Sequence, residues 1–126
     1  MGFLDKYGSL ILGITRIVVG LLFLEHGTAK LVHFPVVPMF ASGSLPPMLL
    51  ASGVIELVGG ALVALGFFSR IAAFICSGQM AVAYFMVHFA QGFFPILNGG
   101  ELAIVYCFVF LYLAAAGPGS LALNNK

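Results

Sequence analysis

The sequence predicts an all-α integral membrane protein, an antiparallel up-and-down bundle of four transmembrane helices that forms a single domain over residues 1–126. Three observations lead there. Hydrophobic residues make up 62% of the chain and charged residues only 7%, with a mean hydropathy of +1.16. A soluble domain so composed would lack the charged surface that keeps it dispersed. Four apolar segments also approach the ~20 residues that a helix needs to cross a bilayer core. Between them stand proline, glycine and polar breaks of the kind that stop helices.

The first span is expected over residues 10–31. Charge at Asp5 and Lys6, and Arg16 inside the apolar run, argue for a retained span rather than a cleavable leader. His33-Phe34-Pro35-Val36-Val37-Pro38 and Ser42-Gly43-Ser44-Leu45-Pro46-Pro47 break the chain before a second span at 48–68. This connection, Val32 to Pro47, is apolar despite its prolines, so it is expected to pack on the bundle or lie in the interface, as a lid. Ser69-Arg70 turns the chain into a third span at 71–90. Gly92 to Gly100, with Pro95 and Asn98, separates it from a fourth at 100–116, which Gly117-Pro118-Gly119 ends. Four spans put both termini on one side, with Lys6, Arg70 and Lys126 there and Lys30 opposite. The excess of cations predicts cytoplasmic termini in an inner (plasma) membrane.

A net charge of +1 offers no basic face for nucleic acid. Cys76 and Cys107 sit in apolar runs, outside any CxxC or Cys/His pattern, and read as small buried residues at different depths. Function is therefore sought in the charges. Six of the nine charged residues, Arg16, Glu25, Lys30, Glu56, Arg70 and Glu101, lie within or at the rim of the spans. An ionised side chain costs about 2.5–3.5 kcal/mol at a helix centre in the bilayer, so such residues normally face a polar interior.

At 100° per residue, Gly13, Arg16, Gly20, Phe23, Gly27 and Lys30 form one stripe of the first helix. Gly53, Glu56, Gly60 and Val63 do so on the second, Arg70, Ser77, Ala81, Tyr84 and His88 on the third, and Glu101, Val105, Phe108 and Tyr112 on the fourth. Ser69, Ala73, Ser77 and Ala81 add a small-residue seam for close packing. By helical rise Glu56 lies roughly 12 Å below the outer rim and Arg16 roughly 8 Å lower, within an arginine's reach. A Glu56–Arg16 pair with Lys30 and His26 above it is expected, lining a pocket that opens outward.

Each residue has a structural and a functional reading. Glu56 and Arg16 form either an ion pair that sets helix register or a proton acceptor and ligand anchor. Lys30 either snorkels to the interface or donates to a ligand. His26 and His88 are suited to passing protons or bonding a carbonyl; without a third ligand they do not define a metal site. Glu101 suits a helix N-terminus as well as a site. Phe23 and Tyr84 are core residues or the walls of a planar ring.

The ordered set Arg16…Gly20…Phe23…His26-Gly27…Lys30, then Glu56…Gly59-Gly60…Gly66…Arg70-Ile71-Ala72-Ala73, then His88, Asn98-Gly99-Gly100-Glu101 and Gly117-Pro118-Gly119-Ser120-Leu121, resembles the DoxX family of small membrane proteins. It departs in Glu25, outside that pattern, and in a tail without an acidic residue after Ser120-Leu121. The resemblance implies a four-helix membrane protein linked to redox assemblies, among them the membrane subunit of a thiosulfate:quinone oxidoreductase. Its shared polar positions here are Arg16, His26, Lys30, Glu56, Arg70, His88, Asn98 and Glu101. It leaves open whether the chain is an enzyme.

The leading expectation is a quinone-handling oxidoreductase component: Arg16, His26 and Lys30 donating, Glu56, His26 or His88 exchanging protons, Phe23 and Tyr84 flanking the ring, Asn98 and Glu101 nearby. No haem pair, flavin fingerprint or CxxC occurs, so a soluble redox enzyme or second membrane subunit would supply electrons. A non-catalytic scaffold for redox enzymes competes with it, and so does a small-molecule or ion transporter, which with four spans would need to form a homo-oligomer.

Overall fold

A computed structural model describes residues 2–41 and 45–126. Every regular element among them is helical. A short helix α1 (Gly2–Asp5) leads into α2 (Gly8–Leu31), which begins two residues before the expected span. A one-turn α3 (Pro38–Ala41) precedes α4 (Pro47–Leu65). Gly66, left-handed at φ 67°, stops α4 three residues before the expected 68, because a residue with a Cβ resists that conformation. The third span is composite: α5 (Ser69–Ala83) widens into a π-turn at Tyr84–His88 and tightens to a 3₁₀ turn at Phe89–Gln91. A short α6 (Pro95–Asn98) leads to α7 (Glu101–Ala116). Three helical stretches, Gly8–Leu31, Pro47–Leu65 and Ser69–Gln91, are long and apolar enough to cross a membrane, and α7, of 16 residues, is apolar but shorter.

Glycine sets how closely the helices meet. A Cβ added at Gly27 would stand 2.6 Å from Leu57 N, and one at Gly60 2.7 Å from Leu24 N, so α2 and α4 touch backbone to backbone. These contacts run antiparallel, Gly20 beside Ala64 and Gly27 beside Leu57. On the other side of α4, Gly59 receives the Cys76 sulfur of α5. Then α5 packs antiparallel on α7, with Ser77 Oγ donating to Cys107 O at 2.7 Å and Arg70 reaching Ala115 O near the opposite end. The chain order is thus up and down. Phe23, Val63, Cys76, Met80, Tyr106 and Phe110 fill the centre.

The wheel stripes fare unequally. All six stripe residues of α2 and all four of α4 are buried, and so are Ser69, Ala73 and Ser77 of the small-residue seam. On α7 the expectation is reversed: Glu101, Val105, Phe108 and Tyr112 face outward, while Ala103, Tyr106, Phe110 and Leu113 face the core. Apart from Glu101 that helix is apolar on every side, so its wheel carries no direction.

Two ends result. The terminal end carries α1, the α4–α5 turn and the C-terminal tail. The distal end carries the α2–α4 connection and the segment between α5 and α7.

Candidate functional site

The antiparallel register of α2 and α4 decides which charges meet. Gly27 opposite Leu57 places Lys30 beside Ser52 and within reach of Glu56, and it places Arg16 at the level of Ala64. Lys30 Nζ donates to Glu56 Oε2 at 2.9 Å and to Ser52 Oγ at 2.8 Å. It also lies 2.8 Å from Glu56 Oε1 in ion-pair contact. Both residues are buried, Glu56 at 2% exposure. From α5, Gln79 Nε2 donates to Glu56 Oε2 at 3.1 Å. Phe40 of α3 sets its ring 5.6 Å from the ammonium, so the α2–α4 connection does reach over the site.

This corrects the expected Glu56–Arg16 pair. Lys30 holds Glu56, and Arg16 turns the other way. Fully buried, Arg16 donates from Nη1 to Pro118 O and to Ser120 O at 3.1 Å, and from Nη2 to Leu121 O at 2.9 Å. The tail that supplies these carbonyls folds back across the terminal end. Ser120 N donates to Ser9 O, Leu123 N to Leu65 O and Asn124 N to Gly66 O. Arg70 grips its far part through Asn125 O and also holds the end of α7. Arg16 and Arg70 are thus the fastenings of a tail, and the sequence offered no side-chain signal for it because the acceptors are backbone carbonyls.

The other expected site residues fall into separate places. His26 Nδ1 bonds Leu22 O at 3.0 Å, and its ring stands edge-on to Tyr106, 5.9 Å between centroids. Phe23 packs against Tyr106 and Phe110 at 5.2 and 4.8 Å, a core contact rather than a pocket wall. Tyr84, His88 and Asn98 form a second polar knot at the distal end: Asn98 Nδ2 donates to Tyr84 OH and Gly92 O, and His88 Nδ1 donates to Asn98 O. Glu101 is exposed, in neither cluster. Ser52, Gln79 and Tyr106 were missed. Gln79 could have been found as the amide in an otherwise apolar third span, and Ser52 as the residue one turn before Glu56.

One acceptor in the Lys30 cluster remains open: among the described residues Gln79 Oε1 is buried without a donor, whereas Glu56 Oε1 has the Lys30 ammonium 2.8 Å away. A buried oxygen of this kind calls for a donor. Two surface hollows lie away from these charges. One of about 470 Å³ lies between α2 and α7, lined by Ile11, Thr15, Phe108 and Tyr112. Another of about 240 Å³ lies between α4 and α5, along Val58, Leu62 and Ile75.

Comparison with known proteins agrees with the resemblance. A Haemophilus influenzae protein described as uncharacterized is 51% identical over 130 residues, an alignment covering 100% of this chain and 97% of that protein. No solved structure matches. The DoxX family model matches residues 10–89, the stretch that holds Arg16, His26, Lys30, Glu56, Gln79 and His88. With three membrane-length helices and that match, the chain is a membrane protein that belongs to the DoxX family.

Proposed function

We propose that this protein is a quinone-linked oxidoreductase component of the plasma membrane, with the Lys30–Glu56–Gln79 cluster as its ligand site. All four long helices cross the bilayer in this reading. At about 1.5 Å per residue the 16 residues of α7 extend about 24 Å, near the thickness of the hydrocarbon core. Lys6, Arg70 and Lys126 gather at the terminal end, which favours cytoplasmic termini.

The observation that carries the reading is the open acceptor Gln79 Oε1 beside the buried Lys30–Glu56 ion pair. A quinol presents hydroxyls to such an oxygen, and a quinone presents carbonyls to a donor such as Lys30 Nζ. A bound quinone supplies two-electron, two-proton chemistry. Glu56 is the proton acceptor, Lys30 orients its carboxylate through both oxygens, and Gln79 donates to Oε2 and turns its own free Oε1 to the ligand. Phe40 shields the ammonium, and His26, one turn below Lys30, offers a proton path. Electrons come from a partner, a soluble enzyme or a second membrane subunit.

The test is copurification. Lipid extracts of the purified protein should contain quinone near stoichiometry, and the content should fall at least fivefold in Glu56→Gln and Lys30→Ala that remain monodisperse. Quinone at the level of the bulk lipid, unchanged by either variant, removes the assignment. A scaffold reading then takes its place, favoured by the bonds that already tie Lys30 to Glu56 and Ser52.

A further inference from the structure

The segment between α5 and α7 contradicts what a water-facing loop looks like. From Ile71 through Gly100 there is no Asp, Glu, Lys or Arg. Phe93 is 72% exposed, and Ile96 and Leu97 are each 78% exposed. Aromatic rings run along it in contact, Phe85 to Phe89 at 5.8 Å, Phe89 to Phe93 at 6.2 Å and Phe93 to Phe94 at 5.3 Å. On the α2–α4 connection at the same end, Phe34 and Val36 are similarly bare. A patch of large apolar side chains standing free of the protein marks contact with a partner or a membrane.

The hydrogen bonds say which. A loop in water leaves its peptide groups to solvent, whereas backbone at membrane depth must be satisfied within the protein. Here a buried asparagine serves the loop on three sides. Asn98 Nδ2 donates to Gly92 O at 2.9 Å, its Oδ1 accepts from Gly100 N at 2.8 Å, and its own carbonyl accepts from His88 Nδ1 at 3.1 Å. Leu97 N and Asn98 N both donate to Phe94 O, Gly92 N to Phe89 O and Gly99 N to Pro95 O. Gln91 turns back to Val87 O at 3.0 Å. Gly100 lies so close under Tyr84 that a Cβ there would stand 2.6 Å from the ring.

We infer that Phe89–Leu97 lies among the acyl chains of the leaflet at the distal end, and that its occupant is phospholipid. A charge-free sequence, outward aromatics and peptide groups bonded inward at Gly92, Phe94, Leu97, Asn98, Gly99 and Gly100 together suit hydrocarbon, and the segment directly continues a helical stretch, Ser69–Gln91, of membrane-spanning length. His88, Asn98 and Tyr84 then serve as the internal hydrogen-bonding frame of a membrane-embedded segment. Glu101, exposed at the start of α7, marks its boundary with the headgroups.

The chain has no Trp, so single tryptophans report cleanly. Phe93→Trp and Leu97→Trp proteins are reconstituted in phosphatidylcholine vesicles with brominated acyl chains, with iodide as aqueous quencher. Val58→Trp on the lipid-facing side of α4 and Asn125→Trp in the tail are the references. Both loop reporters should emit as blue as Val58→Trp, with bromolipid quenching several-fold greater than iodide quenching. Adding Asn98→Ala should shift them toward iodide. Red emission with strong iodide quenching in the native Asn98 background overturns the inference. So does protection from both quenchers, which would mean that a second copy or another subunit covers the segment.

Discussion

Lys30 and Glu56, 26 residues apart, close an ion pair of 2.8 Å across the seam where α2 and α4 touch through glycine. Neither helix alone could carry its charge into the bilayer without cost. The seam cancels the two while Ser52 and Gln79 take further bonds. Register and chemistry therefore share one location: any slip of α2 along α4 separates the pair.

Removing one partner leaves the other buried and uncompensated, which costs about 3–5 kcal/mol, whereas an apolar pair of similar volume is near neutral. Lys30→Met and Glu56→Leu singly should each lower stability by about that amount, and the double variant should recover most of it. Thermal unfolding in mild detergent of all four corners of the cycle measures this. Singles that each lose under about 1 kcal/mol would mean the pair sets no register.

The inward faces of α2 and α4 were legible because glycines and charges recur together on them, and both features have one place to go in lipid. The helix order and breaks followed from proline and glycine in the same way. On α7 the single charge, Glu101, pulled the wheel to the wrong side, since an apolar helix has no preferred face and the aromatic bulk of Tyr106 and Phe110 decided it. The partner of Arg16 was illegible for another reason. The helical wheel turned Arg16 inward correctly, but its guanidinium points away from Glu56, because its acceptors are peptide carbonyls of a tail about 100 residues later and no side chain announces them.

That tail gives a second prediction. Hydrogen bonds from a charged group contribute about 1.5–3 kcal/mol each, and Arg16 supplies several to Pro118, Ser120 and Leu121. Arg16→Gln should weaken tail attachment by at least about 2 kcal/mol, a roughly thirtyfold rise in the detached population. Carboxypeptidase digestion from Lys126 should quicken accordingly. Lys30→Met, at the far end, should leave the digestion rate unchanged. Equal rates in wild type and Arg16→Gln would show that the tail is held by its own backbone bonds to Ser9, Leu65 and Gly66.

Close approach gives a third. Gly60→Ala places a methyl 2.7 Å from Leu24 N and 2.8 Å from Gly20 O, contacts that only a shift of α2 can relieve. Overpacking of this kind costs about 1–3 kcal/mol, and here it also parts Lys30 from Glu56. Gly78→Ala on α5 meets nothing within 4 Å and should be neutral or mildly stabilising. Melting temperatures of the two variants should therefore separate, with Gly60→Ala the lower; coincident values would remove the glycine seam as the cause of helix pairing.

Orientation gives the last. Lys6, Arg70 and Lys126 stand at the terminal end, whereas Lys30, toward the distal end, is buried and held by Glu56. Free cations are retained on the cytoplasmic side during insertion, and a buried one adds little to that bias. Fusing a fluorescent protein after Lys126 should give bright cells, and fusing alkaline phosphatase at the same point should give no activity. Fusions ending at Gly99, before α7, should behave the opposite way, with phosphatase active. A C-terminal phosphatase that is active, together with an active Gly99 fusion, would mean that the 16 residues of α7 do not cross and the bilayer holds three spans.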